Sequence, residues 1–348
     1  MILPASYTIT FVLMILSMLC WGSWANTFKM SRNGWRFELY YYDYAIGVLI
    51  AALIAAFTFG SLGFDGFSFT DDFLHAGKRQ LLFGFTAGVI FNLANMLLVG
   101  AISVIGMAIA FPVGIGLALV IGVIWNYLIA PSGNAMFLFT GVAIITAAVI
   151  LAAFAYRSYA EMKLIERIEA GLAKSTRIKI SMKGIILSVV SGLLMGSFFP
   201  VLRMGQEAEV GLGPYAITVV FALGVLVSTF VFNLFFTNLP IQGEPVDVVL
   251  YFRTDMRNHV LGILGGVVWC LGLVMSLVAA TAEGPAKAGA AVSYAMGQGA
   301  TLISTLWGIF VWHEFEGSDA RVKITLGLMI ILFLIGLGLV SMAPLMSK

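Results

Sequence analysis

The sequence predicts an all-α integral membrane protein, with ten transmembrane helices forming two inverted five-helix repeats. Three observations carry that expectation: a scarcity of charge, ten long apolar runs, and short echoes between the two halves of the chain. Of 348 residues, 61% are hydrophobic and 10% charged, and the mean hydropathy is +1.02. A soluble domain carries about 25% charged residues, so this chain lacks the surface charge to stay in water.

A bilayer core about 30 Å thick takes roughly 20 apolar residues per helix. On that measure the spans fall at 7–28, 40–60, 80–101, 104–129, 135–156, 184–204, 213–237, 259–281, 286–312 and 323–345. Gln80 to Ala130 contains no charge, and GAISVIG in its middle reads as a tight turn. The runs are continuous rather than alternating, which argues against a strand barrel. MILPASYT lacks a basic n-region and no A-x-A site follows the first run, so that run is expected to be a retained helix rather than a signal peptide. Cys20 and Cys270 both fall inside spans and read as small packing residues.

The one charge-dense interruption is 157–183, which separates a first repeat (1–156) from a second (184–348) as a basic cytoplasmic linker. It holds Arg157, Lys163, Arg167, Lys174, Arg177, Lys179 and Lys183. On the same side of the membrane would lie Lys29, Arg32, Arg36, Arg253, Arg257, Arg321 and Lys323, against Lys78, Arg79, Arg203, Lys287 and Lys348 on the other. Positive-inside bias then places both termini outside and the linker in the cytoplasm of an inner-membrane, multi-pass protein. A net charge of +2 gives no reason to invoke nucleic acid. The basic linker reads instead as a topology determinant facing anionic lipid.

The echoes are ordered. Ser17, Gly22, Ser23, Lys29 and Met30 answer to Ser191, Gly196, Ser197, Arg203 and Met204 at an offset of 174. Tyr44-Ala45-Ile46 answers to Tyr215-Ala216-Ile217 at 171. Gly84, Gly88 and Asn92 fall on Gly262, Gly266 and Cys270, and Gly114-x-Gly116 on Gly297-x-Gly299. Five is odd, so the second copy must enter the membrane from the opposite face. Secondary transporters show this architecture and bind solute near the midplane between the repeats.

Polar residues in mid-span face the protein interior or a cavity. Asn92 and Asn95 suit an uncharged polar solute, or else act as interhelical glue. Tyr294, Gln298, Thr301 and Thr305 recur at helical spacing beside Gly297 and Gly299, and Pro112 precedes Gly114 and Gly116. Kinked fourth and ninth helices are therefore expected, with Tyr294 and Gln298 touching solute. Trp21, Trp24, Phe198 and Trp269 are mid-span aromatics that either stack on a flat solute or pack a core. Trp35, Trp125, Trp307 and Trp312 lie nearer span ends and read as belt anchors. Asp43, preceded by three tyrosines, is the candidate proton carrier; its alternative is a solvated carboxylate at a helix start.

Other classes lack their signatures. There is no H-E-x-x-H, no metal-spaced pair and no nucleophile elbow; His75, His259 and His313 stand apart in sequence, so neither an enzyme nor a cofactor is expected. GLAKST fails as a phosphate loop, because Ile168 and Ala173 occupy the glycine positions. Charged rings or a filter motif, as in channels, are not evident. An exporter of lipophilic cations would want a cavity carboxylate, and none is placed there.

The run DYAIGVLIAALIAAFTFG, then GVIFNLANMLL, GVIWNYLIAPSGNAMFLFTGVAI, MGSFFPVLRM and STLWGIFVWHEF resembles the ureide permeases of plants and their bacterial relatives. These lie in the drug/metabolite transporter superfamily, near the glucose/ribose porters. The likeness runs from about Trp21 to Thr325 and is most specific around Asp43-Tyr44, Asn126-Tyr127 and Trp307-Gly308 with Glu314. It implies ten helices in two repeats and secondary active import, with protons as candidate co-substrate. Plant members take up allantoin, uracil and related oxo-heterocycles. They carry a phosphate-loop-like central motif that this chain lacks, and an Asn near where Cys270 and Leu273 stand here. The expectation is an alternating-access carrier, monomeric or homodimeric, for ureide or nucleobase-type solutes such as allantoin, uracil or xanthine. The alternatives are a sugar transporter of glucose, ribose or rhamnose type, and a metabolite or drug exporter.

Overall fold

The computed structural model describes residues 1–31, 35–171, 181–207, 211–238 and 244–346. Arg32, the linker residues Lys174, Arg177 and Lys179, and Lys348 lie outside the described residues. In chain order the helices are α1 (Tyr7–Ser23), α2 (Ala25–Lys29), α3 (Phe37–Phe57), α4 (Phe69–His75), α5 (Lys78–Ile105), α6 (Met107–Ile129) and α7 (Ala135–Glu169). They continue as α8 (Met182–Met204), α9 (Pro214–Asn238), α10 (Val249–Arg253), α11 (Met256–Ala280), α12 (Ala290–Gly297), α13 (Ala300–Phe310) and α14 (Ala320–Met342). Among the described residues nine helices, counting α1–α2 as one, are long and apolar enough to cross a membrane. The protein is an all-α, multi-pass integral membrane protein.

The span expected at 286–312 is not one helix. It breaks at Gln298-Gly299 into α12 and α13. The Gln298 N–H is shared between the Tyr294 and Ala295 carbonyls at 3.2 Å each, and Gly299 N–H reaches Met296 O at 3.0 Å, so the ladder tightens and slips. Both flanking glycines are required by close neighbours: a Cβ on Gly297 would lie 2.4 Å from the Trp21 ring, and one on Gly299 2.4 Å from Met18 Sδ. α6 runs through Pro112 unbroken, so the expected interruption is realised only in the ninth segment.

The charge-dense segment 157–183 does not begin where the helix before it ends. α7 continues to Glu169, so the first half of 157–183 is helix. At 1.5 Å per residue its 35 residues span about 52 Å, far more than a bilayer core. Charge ends a membrane span without ending a helix: Arg157–Glu161 and Lys163–Glu166 pair at i,i+4 and i,i+3 along the protruding turns.

Glycine sets how the helices meet. On α5, Cβ atoms at Gly84 and Gly88 would strike Val220 and the Phe221 carbonyl oxygen of α9; on α11, Cβ atoms at Gly262 and Gly266 would strike Asp43 and the Tyr44 carbonyl oxygen of α3. In return Gly224 faces Phe85 O at 2.2 Å and Gly47 faces Ile263 O at 2.1 Å. The two seams carry the same contacts, with α5 and α11 offset by 178 and α3 and α9 by 177. This makes Phe221, not Tyr215, the equivalent of Tyr44, a register six residues from the one the Tyr-Ala-Ile echo gives. A third pair agrees: Gly22 meets Ala300 O and Ile303, while Gly196 meets Ala118 O and Ile121.

Candidate functional site

Between these seams the helices enclose a cavity of about 500 Å³, lined by α1, α2, α5, α6, α7, α8, α11 and the α12–α13 break. That volume falls in the usual range for a small-molecule site. Its inner end is aromatic. Phe91 and Trp269 lie 4.2 Å apart between ring centroids, Trp21 stacks on Trp269 at 6.1 Å, and Phe198 meets Phe91 edge-on at 5.3 Å. Phe91 and Trp269 are themselves related by the 178 offset of α5 and α11. Trp21 spends its indole N–H on Trp269 O at 3.1 Å, which fixes the ring.

The polar groups divide sharply. Asn95 lines the cavity and gives its Nδ2 to Tyr41 Oη at 3.0 Å, which leaves its Oδ1 as an uncommitted acceptor. Gln298 also lines the cavity, at the helix break, and its carboxamide has no hydrogen-bond partner among the described residues. Trp21, Trp24, Phe198 and Trp269 complete the expected residues that reach the cavity.

Asn92 and Tyr294 do not reach it. Asn92 is fully buried against α9, its Nδ2 at 2.7 Å from Ser228 Oγ, 3.1 Å from Thr229 Oγ1 and 3.2 Å from Val225 O. Three residues separate it from Asn95, which turns it about 60° around the helix, enough to move it from cavity to seam. Tyr294 is equally buried, with its hydroxyl 3.3 Å from both Ala118 O and Met195 O and its ring filling the space left by Gly122. It ties α12 to α6 and α8 instead of facing the cavity.

The outer end of the cavity is a mouth of groups that the sequence reading did not assign to the solute site. Lys29 and Glu314 form a half-exposed ion pair in the lining. Trp312 lies under the Lys29 ammonium at 4.5 Å and donates its indole N–H to Asn26 Oδ1 at 2.6 Å. Trp307 donates to Ser23 Oγ at 2.8 Å. Trp307 and Trp312 therefore hold α13 onto α1 and α2, not the lipid interface as belt anchors would. Tyr156 of α7 joins the lining beside them.

Asp43 stands outside the cavity, on the α3–α11 seam, and is 2% exposed. Its Oδ1 accepts from Tyr251 Oη at 2.6 Å and its Oδ2 lies 2.8 Å from His259 Nδ1. It is therefore not a solvated helix-start carboxylate, and His259 is not isolated: sequence separation of more than 200 residues hid the pair. Burial, then the facing Asp43 carboxylate, raise the Tyr251 phenol above its usual range, so it stays a donor. Among the described residues no three His, Cys, Asp or Glu side chains cluster to hold a metal.

The chain is 23% identical to Ureide permease 2 of Arabidopsis thaliana over 92% of this chain and 93% of that protein, and 23% identical to Ureide permease 1 of the same plant with the same coverage. Probable ureide permease A3 of Vigna unguiculata is 22% identical over 89% of this chain and 96% of that one. A solved crystal structure matches over 99% of this chain and all of the other with a TM-score of 0.57 and 14% identity, a likeness of fold alone. The family model described as ureide permease matches residues 40–178 and 164–344. With the apolar helices and a central cavity in place, the chain is a membrane transporter, not an enzyme, and belongs to the ureide permease family.

Proposed function

We propose that the protein is a secondary carrier for a small, flat, uncharged heterocycle of ureide or nucleobase type, imported with protons by alternating access. The observation that carries this is the makeup of the cavity's inner end. Aromatic faces offer stacking surface, and the Gln298 amide and Asn95 Oδ1 offer a donor and acceptors to a ring that bears N–H and C=O groups. The family's printed name, on relatives that match nearly end to end, points to the same solute class.

The symmetry of contacts supports two inverted five-helix repeats, 1–156 and 184–348, with α12–α13 as the tenth span. Each α5–α9 contact has its α3–α11 counterpart, and the cavity lies where the two sets meet. A broken helix at the binding depth is a recurring feature of such carriers. Described basic residues gather at the mouth end, where Lys29, Arg36, Arg157, Lys163 and Arg257 sit, which supports a cytoplasmic mouth in an inner-membrane protein and an inward-facing state here.

The test is thermal stabilisation of the purified protein in detergent by allantoin, uracil, xanthine, glucose, ribose and rhamnose, repeated with Asn95→Ala and Gln298→Ala. A ligand that binds only the folded state raises the melting temperature by mass action. Stabilisation by a heterocycle that either variant loses supports the reading. Stabilisation by a sugar alone overturns the solute class, and a shift that both variants keep overturns the site.

A further inference from the structure

We infer that His259, held by Asp43 and Tyr251, is the proton-binding group of this carrier, and that the coupling proton enters on its Nε2. The inference rests on the carrier reading above and adds the residue that couples.

A carboxyl group in a membrane helix is costly unless paired, and Asp43 is almost wholly buried. Both of its oxygens are spoken for, one by Tyr251 Oη and one by His259 Nδ1. Imidazole is the side chain that changes charge between about pH 5 and 8. With Asp43 ionised and the proton of neutral His259 on Nδ1, the cluster carries one negative charge. A proton added to Nε2 makes the imidazolium and leaves a neutral pair, and no hydrogen bond inside the cluster has to break. Nε2 has no partner among the described residues, and the His259 side chain is 20% exposed beside the Trp35 and Tyr251 rings.

The place of the cluster gives the proton a mechanical outlet. Gly262, one turn along α11 from His259, lets the Asp43 Cβ approach where its own Cβ would be only 2.4 Å away. Tyr44, the next residue of α3, packs at 5.1 Å from Trp24 and 6.4 Å from Trp269, both of which line the cavity. A change of charge at the seam thus acts on the helices that carry the aromatic wall.

The other seam lacks the device. At the offsets that relate the seams, Val220 stands for Asp43 and Leu81 for His259. The acid–imidazole pair therefore has no counterpart at the other seam, so a proton bound there acts on one seam and not on both. Other ionisable groups at this end of α3, α10 and α11 include Glu38, paired with Arg36 at 2.8 Å; Tyr40, its hydroxyl 2.7 Å from Thr27 Oγ1; Tyr41, accepting from Asn95 Nδ2 at 3.0 Å; Tyr42, edge-on to Tyr251 at 5.6 Å; Tyr44; Asp247; Arg253; Asp255; and Arg257, 3.4 Å from Met30 O.

The experiment uses proteoliposomes of the full chain and labelled allantoin and uracil, in two modes: exchange at equal pH, and accumulation driven by an inward proton gradient. Wild type is expected to do both, with accumulation that depends on pH. His259→Gln and the double variant Asp43→Val/His259→Leu should keep exchange and lose accumulation. The double variant copies the apolar residues of the other seam, so it guards against misfolding. Tyr251→Phe should keep accumulation with a displaced pH profile. Accumulation by His259→Gln with an unchanged profile overturns the assignment, as does a wild type that exchanges solute but ignores the gradient. Loss of exchange in both variants makes the cluster a structural lock and overturns it too. A wild type that exchanges neither compound brings down the solute reading along with this one.

Discussion

Two asparagines one turn apart have opposite fates here, and a carboxamide's role follows from which helix face carries it. Asn92 bridges α5 to the Ser228 and Thr229 hydroxyls of α9, which already bond their own helix. Interhelical bonds of this kind in membranes average about 0.6 kcal/mol and reach about 1.7. Asn92→Ala should therefore lower the melting temperature by an amount equivalent to roughly 1 kcal/mol and leave ligand-induced stabilisation intact. Gln298→Ala should do the reverse, with a native-like melting temperature and no ligand shift. The thermal panel separates the two in one set of samples. The distinction between Asn92 and Asn95 was not legible in the sequence, since both lie mid-span on adjacent turns of α5 and only the neighbour each meets decides.

Helices here pack through missing side chains, and the two seams should respond alike when one is supplied. A methyl on Gly224 would meet the Phe85 carbonyl at 2.2 Å, and one on Gly47 the Ile263 carbonyl at 2.1 Å. Backbone cannot rotate away as a side chain can, so Gly47→Ala and Gly224→Ala should each destabilise by at least the 1–3 kcal/mol usual for overpacking, ~2 kcal/mol or more. Unequal losses in chemical or thermal unfolding would count against equivalent seams. At the other end of the bundle α4 is tied to the start of α9 by Asp72, whose Oδ2 accepts from Gly213 N–H at 2.7 Å. Burial pushes its carboxyl up to about 6, against the lowering pull of that hydrogen bond and of the Met1 amine. The folded state therefore binds the proton more tightly than the unfolded one, so stability is greatest below the ordinary carboxylate range and falls as pH rises to about 6. Asp72→Asn should flatten that part of the pH dependence of the melting temperature, and an unchanged slope would refute the assignment. The helical offset between Gly84 and Gly262 was readable from sequence; the Tyr44 register was not, because a three-residue echo matches by chance while each seam is fixed by three interlocking glycine contacts.

For the molecule as a whole, the mouth of the cavity and the charged turns of α7 share one end. In a background with Cys20 and Cys270 replaced by Ala, a cysteine at Glu166 should react with a membrane-impermeant maleimide only from the cytoplasmic side, and one at Glu283 only from the opposite side. Reversed labelling would invert the orientation and turn the present state into an outward-facing one. Added solute should change labelling of a cysteine placed at Trp312, at the mouth, while leaving Glu166 unaffected, if the mouth closes during transport.

The sequence by itself determined the membrane, the order of the apolar segments, and the amide and aromatic content of the interior. All of these are local quantities: hydropathy over 20 residues, composition per span. Tertiary structure alone decided that Asn95 and Gln298 face a cavity while Asn92 and Tyr294 seal helix seams, that the ninth segment breaks at Gln298, and that Lys29, Trp312 and Glu314 frame a mouth. It also brought His259 to Asp43. Helix periodicity says which residues share a face, but a membrane helix is apolar all round, so its hydropathy does not mark the face that turns inward. Only the close approach of neighbouring backbones, set glycine by glycine, fixes that rotation.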